Sequence, residues 1–127
     1  MGKNELLKLL SCSWYGYLRH RGHQVSEQDN PHVLKSMSMG WEAYRWVLFT
    51  TRSPIKHFST QEKKLIRFHL RKTEGWCERC YLVVGFATEE PRIIVLPADK
   101  AVKDGRVASD TGGIDWVELE NSWGGDE

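Results

Sequence analysis

The sequence predicts an α/β domain: a two- or three-layer sandwich around a mixed sheet, in the order helix, strands, helix, strands. Three observations predict it. An amphipathic helical stripe opens the chain, short continuous apolar runs have the length of buried strands, and a charged amphipathic segment separates those runs. At 127 residues the chain has the size of one domain, which can fold without disulfides or metal.

The first half begins with a helix predicted over residues 3–21. Its apolar residues recur at intervals of three and four, and Gly22 follows as a C-terminal glycine. Strands are predicted over 23–28 and, from a partial alternation, over 32–39, with a turn signal between them. The stretch 44–50 is rich in aromatic and β-branched residues, which predicts a strand buried on both faces.

The second half begins with a capping-box motif at residues 59–62, in which Ser59 and Glu62 satisfy backbone donors at a helix start. The helix is predicted to run to about Lys72, with apolar residues and His69 inward and cations outward. Two buried strands are predicted to follow, then one helical turn, and finally a short alternation. They cover residues 81–86, 92–96, 98–103 and 114–119.

Charge is distributed unevenly although the formal net charge is only +1. Residues 52–72 carry a net +6 and residues 104–127 a net −6. The basic segment indicates a nucleic-acid partner, and we expect DNA in preference to RNA; the alternative is a solvated helix face beside a frayed acidic end. We therefore divide the chain into an α/β body, 1–103, and a partly ordered acidic extension, 104–127. The candidate nucleic-acid-binding residues are Arg52, Lys56, Lys63, Lys64, Arg67 and Arg71.

Several classes of protein are disfavoured by composition. No apolar run approaches the roughly 20 residues of a membrane span, and the first residues lack the apolar core of a signal peptide. The odd count of three cysteines fits a reducing compartment better than a secreted disulfide framework. We expect a cytoplasmic protein with no membrane partner.

Four segments resemble those of a known superfamily: the opening of the first helix, with its acidic residue, at 2–7; the turn into a strand at 18–25; the helix start at 58–62; and the strand at 81–86. The order of elements is similar to that of the PD-(D/E)xK, restriction-endonuclease-like nucleases, within which the chain resembles the archaeal-type Holliday junction resolvases. The resemblance covers roughly residues 2–97. It implies a restriction-endonuclease-like fold and a nucleic-acid substrate, with a homodimer possible by analogy.

The same resemblance implies a Mg²⁺ site, in which carboxylates hold the metal and a lysine polarises the attacking water. Thr50 and Arg52 occupy the positions of the family's Glu-x-Lys, and Glu5 matches its acidic residue as a metal ligand. The expected function is therefore nucleic-acid binding or processing on a nuclease-like fold that has lost its metal site. One alternative is an active Mg²⁺-dependent endonuclease with a migrated site of Glu5, Asp29 or Glu42, and Arg52 in the lysine's role; another is a non-catalytic protein-interaction module.

The remaining motifs leave alternatives open. Cys77 and Cys80 form a C-x-x-C pair that fits structural, metal-binding or redox roles. We expect His69 in the core and His57 in a solvated loop, although His57 could also contact a phosphate. Two of the six tryptophans fit the core, and the other four lie near turns, where they could stack on bases, cover the core or bind a protein. The first two are Trp14 and Trp46; the others are Trp41, Trp76, Trp116 and Trp123.

Overall fold

The computed structural model describes residues 2–73 and 78–111, together with the backbone of residues 114–115. Within these residues it contains three helices and eight strands. The helices are α1 (Lys3–His20), α2 (Thr60–Thr73) and α3 (Ala98–Asp104). The strands are β1 (Gln24–Glu27), β2 (Val33–Met37), β3 (Ala43–Thr51), β4 (Ile55–His57), β5 (Glu78–Phe86), β6 (Arg92–Pro97), β7 (Arg106–Ala108) and β8 (Ile114–Asp115).

Six of the strands form one mixed sheet in the order β1-β2-β3-β5-β6-β8. β3 and β5 pair in parallel, and every other neighbouring pair in this sheet is antiparallel. The parallel pair requires a crossover, which α2 supplies, whereas β1, β2 and β3 follow one another through short turns. The predicted α/β class and mixed sheet are confirmed.

Helices cover both faces of the sheet, so the sandwich has three layers. α1 packs on one face over an aromatic-rich cluster that includes Trp14, Trp46 and Leu48. α2 and α3 pack on the other face over a second cluster that includes Phe49 and Ile66. Strand β3 contributes alternate residues to the two clusters, which is why its sequence is apolar throughout, as predicted.

Two local predictions are confirmed at atomic detail. The Ser59 hydroxyl accepts from the Glu62 backbone N–H at 3.1 Å, and the Glu62 carboxylate accepts from the Ser59 N–H at 2.9 Å. Gly22 follows the last turn of α1 with φ +88°, and a Cβ there would lie 2.7 Å from the Met39 sulfur. The positive φ favours glycine here, and another side chain would also require the exposed Met39 side chain to move.

Two strands were not predicted from the sequence. β4 and β7 form a separate two-stranded sheet in which Lys56 pairs with Val107. β7, together with β8, belongs to the segment that the sequence suggested as an acidic extension, and β8 pairs with β6 at the edge of the main sheet. Most of that segment, residues 112–113 and 116–127, lies outside the described residues.

No helix in the described part of the chain is both long enough and apolar enough to cross a membrane.

Candidate nucleic-acid interface

The outward side of α2 carries a set of cations that we call the basic face. On an α-helix, side chains three, four and seven residues apart project from the same side, and the cations of α2 have these spacings. The capping box holds the start of this helix in place. Its members are exposed, except for the half-buried first one. They are Lys63, Lys64, Arg67, Arg71 and Lys72.

The charge of the basic face is not neutralised within the described residues. The ion pairs found in this part of the molecule involve other cations, namely Arg45, Lys56 and Arg79. The one carboxylate of α2, Glu62, is bonded to Lys56 instead. The helix therefore carries five positive charges along about 14 Å of its axis, from Lys63 to Lys72.

Lys56 does not belong to this face, although the sequence suggested it as a nucleic-acid contact. Its residue is 9% exposed, and its ammonium group donates to the Glu62 carboxylate at 2.7 Å. The same ammonium lies 5.7 Å from the ring centre of Phe49 and 5.8 Å from that of Phe58. Lys56 is held inside the fold because β4 pairs with β7 and directs it under the start of α2.

The Glu62 carboxylate thus has two partners. Burial acts to raise its pKa, but hydrogen bonds from Lys56 and Ser59 outweigh burial and hold the pKa below its ordinary value. The carboxylate is charged at neutral pH and links β4 to the helix start. This link fixes where α2, and with it the basic face, sits on the sheet.

Thr50 and Arg52 lie at the C-terminal end of β3. Thr50 is half-buried within the strand, and the exposed Arg52 follows it in a bend. Arg52 lines a shallow depression together with Lys3 of α1 and Lys56. It is therefore near the N-terminal end of α2, away from the last turns where Arg71 and Lys72 lie.

The carboxylates suggested for a migrated metal site come from three different segments of the chain. Glu5 is exposed in the first turn of α1, and Asp29 is exposed in the turn between β1 and β2. Glu42 precedes β3, whereas Arg52 follows it, so a nine-residue strand places them roughly 30 Å apart. Glu42 accepts a hydrogen bond of 2.6 Å from the Tyr44 hydroxyl and lies 3.9 Å from Arg79.

Within the described ranges, no three His, Cys, Asp or Glu side chains lie close enough together to hold a metal ion. The match of Glu5 to a family metal ligand, and the Mg²⁺ site that it implies, stay predictions.

Cys80 lies in β5, and its partner in the C-x-x-C motif, Cys77, lies outside the described residues. Cys80 is a free thiol. Burial raises its pKa to about 12, so the thiol is protonated at neutral pH. A protonated thiol is a poor nucleophile and a poor metal ligand, which favours the structural role for this residue.

His69 is buried, as predicted, and joins a polar cluster between α2 and the sheet. Its Nδ1 accepts from the Arg45 guanidinium at 2.9 Å, and Arg45 also donates to Glu78 at 3.0 Å. Burial, followed by the charge of Arg45, lowers the pKa of His69 to about 4. The ring is therefore neutral at pH 7 and serves to orient Arg45.

The remaining tryptophans and His57 are in the core, exposed, or outside the described residues. Trp14 and Trp46 are in the core as predicted, with ring centres 5.3 Å apart. Trp41 is 82% exposed at the tip of the β2–β3 hairpin, and His57 is exposed at the end of β4. Three tryptophans lie outside the described residues: Trp76, Trp116 and Trp123.

Two features beside the basic face were not suggested as site elements by the sequence. Phe68 is 52% exposed on α2 among the cations, and the ammonium of Lys72 lies 5.3 Å from its ring centre. A groove of about 420 Å³ lies on the side of the sheet that faces α2. We call it the sheet groove, and it is lined by Gln24, Ser26, Lys35, Met37, Ala43 and Glu78.

Comparison of the chain with protein-family models, with curated proteins and with solved structures gives no match.

Proposed function

We propose that this protein binds nucleic acid through the basic face of α2. The observation that carries the proposal is the set of five cations on one helix, four of them exposed and one half-buried, none of which forms an ion pair with a carboxylate in the described residues. Such a surface attracts a phosphate backbone by releasing its condensed counterions. Lys64 and Arg71 are two turns apart, about 10 Å, so they can contact successive phosphates of one strand.

Two further observations support the proposal. Lys56 forms an ion pair with Glu62 and so neutralises the single carboxylate of α2. The order of elements, a helix, three strands of a mixed sheet, a helix and a parallel strand, is also the order on which the resemblance to the restriction-endonuclease-like nucleases depends. Because Glu42 and Arg52 lie at opposite ends of β3, we limit the proposal to binding and include no cleavage step.

The test is the salt dependence of binding to a fluorescein-labelled 20-mer DNA, followed by anisotropy between 50 and 200 mM NaCl. The triple variant Lys64→Gln, Arg67→Gln, Arg71→Gln removes three cations of the basic face. We expect at least a tenfold loss of affinity at 50 mM salt and a log–log salt slope reduced by about two to three.

The matched control removes three exposed cations elsewhere, Lys3→Gln, Lys8→Gln and Lys100→Gln, and changes the net charge by the same amount. The control should keep the wild-type slope, because these cations belong to α1 and α3. Equal losses in the two triple variants would show that net charge, rather than the basic face, determines binding. Absence of salt-dependent binding by the wild-type chain would refute the proposed function.

A further inference from the structure

Phe68 stands out because it is a large apolar side chain in the middle of a charged surface. The ring is half-exposed on α2, and Lys64, Arg71 and Lys72 lie three or four residues from it on the helix surface. Its one ring neighbour in the described part of the molecule is His69, which meets it edge-on with centroids 5.1 Å apart. The cations that would bind a backbone thus flank an accessible aromatic surface.

The sheet groove lies alongside the same part of α2. Lys35 on its floor is the cross-strand neighbour of Arg45, and Arg45 is hydrogen-bonded to His69. Phe68 is in ring contact with His69, which accepts a hydrogen bond from Arg45. Because Arg45 is the cross-strand neighbour of Lys35, these four residues connect α2 to the floor of the groove.

The groove is polar in a way that suits the edges of bases. Gln24 and Ser26 are exposed on β1, and each can both donate and accept hydrogen bonds. Lys35 adds three donors. The volume of about 420 Å³ is in the range of sites that hold small organic groups. The groove walls can therefore form hydrogen bonds with the edges of unpaired bases. In a duplex these base edges are already paired.

We infer that the strand bound by the basic face is single-stranded, with one unpaired base stacked on Phe68 and the neighbouring bases directed into the sheet groove. The inference rests on the proposed function and adds the class of nucleic acid. Aromatic rings among cations are the general means of binding unpaired strands, because every base has a face that can stack. In a duplex the bases are stacked on one another and do not reach a side chain on a helix surface.

The experiment compares a labelled dT20 with a labelled hairpin duplex of the same phosphate count, by anisotropy at fixed salt. The variant Phe68→Leu keeps an apolar side chain but removes the aromatic face. We expect dT20 affinity to fall by roughly 5- to 100-fold while duplex affinity changes less than twofold. The variant Phe68→Trp keeps a stacking surface and should retain dT20 affinity.

The matched control is Leu9→Ala, which removes an exposed large apolar side chain, 41% exposed, from α1. It should leave both affinities unchanged. In the groove, Gln24→Ala should lower dT20 affinity by a few-fold and leave the duplex unaffected. A thermal melt of each variant checks that it is folded; because these side chains are exposed, the midpoints should agree with wild type within a few degrees.

The outcomes separate this inference from the proposed function. Phe68→Leu changes no charge, so the salt slope should equal that of wild type. If Phe68→Leu weakens dT20 and duplex equally, or weakens neither, while the salt slope persists, the single-strand inference is wrong and the proposed function stands. Tighter wild-type binding to the duplex than to dT20 would also overturn it.

Discussion

On the side of the central sheet that faces α2 and α3, these helices cover β5 and β6, whereas β1 is open to solvent. Under α2 and α3, β5 and β6 contribute fully buried residues to the core cluster, among them Leu82, Val84 and Ile94. On the same side of β1, Gln24 and Ser26 are exposed. A single sheet surface thus forms both a hydrophobic core and a polar groove.

The connections between the strands explain the difference. A parallel pair needs a long crossover, so the chain between β3 and β5 includes α2, which packs over those two strands. β1, β2 and β3 are antiparallel neighbours joined by short turns, which leave no chain to cover them. The crossover that creates the core therefore also creates the edge along which the basic face and the groove meet.

The largest expected effect tests the covered half. Ile66→Ala in α2 removes a fully buried side chain from the core cluster and should lower the free energy of unfolding by about 2–5 kcal/mol. Ser26→Ala in the open half removes an exposed hydroxyl and should change the free energy of unfolding by less than about 0.5 kcal/mol. Urea denaturation followed by fluorescence gives both values. Comparable losses would contradict the division of this face into core and groove.

A second effect tests the boundary between the halves, where His69 is buried against Arg45. The folded pKa of about 4 lies below the ordinary value of 6.5, so the unfolded chain binds a proton first as the pH falls. The stabilisation is complete above about pH 6.5 and is lost between there and about pH 4. Its size is about 3 kcal/mol. Urea midpoints measured from pH 7.5 to 4 should show this decline.

The control is His69→Asn, which retains an acceptor for the Arg45 guanidinium but does not titrate. Its stability should fall much less than that of the wild type between pH 6.5 and about 4.5, with the remaining decline due to His23, whose pKa is also lowered by burial. Below that range both proteins should weaken, because the lowered pKa of Glu62 means that its stabilising charge is lost only at more acidic pH. An equally steep decline in the variant above pH 5 would assign the pH dependence to other groups.

Much of the fold follows from sequence patterns that a single chain segment carries by itself. The stripe of α1, the capping box of α2 and the apolar run of β5 each specify an element locally. Strands β4 and β7 were missed because three residues show no periodicity, and because each forms only through pairing with the other. The order of the remaining elements was predictable, although β5 begins three residues earlier than predicted, at Glu78; this tertiary pairing was not predictable.

The candidate site was less predictable for the same reason. The charge run indicated the cations of α2, but it also included Lys56, whose burial depends on the β4–β7 pairing and on Phe49 and Phe58. The sheet groove combines residues from β1, β2, β3 and β5, and no spacing along the chain indicates that they meet. Phe68 was counted as part of an amphipathic helix, and only the position of α2 on the sheet shows that its ring is outside.

The smallest effect tests how α2 is held at the edge between the two halves. Ser59→Ala removes the hydroxyl that accepts from the Glu62 N–H, and it should cost about 1 kcal/mol. The exposed neighbour change Gln61→Ala should stay within about 0.5 kcal/mol. In the Ser59→Ala protein Glu62 keeps its hydrogen bonds to Lys56 and to the backbone N–H of residue 59, so α2 keeps its position on the sheet. At a temperature where the variant is folded, the loss in stability should therefore leave the affinity for nucleic acid unchanged. A parallel loss of affinity would mean that the cap itself positions the basic face.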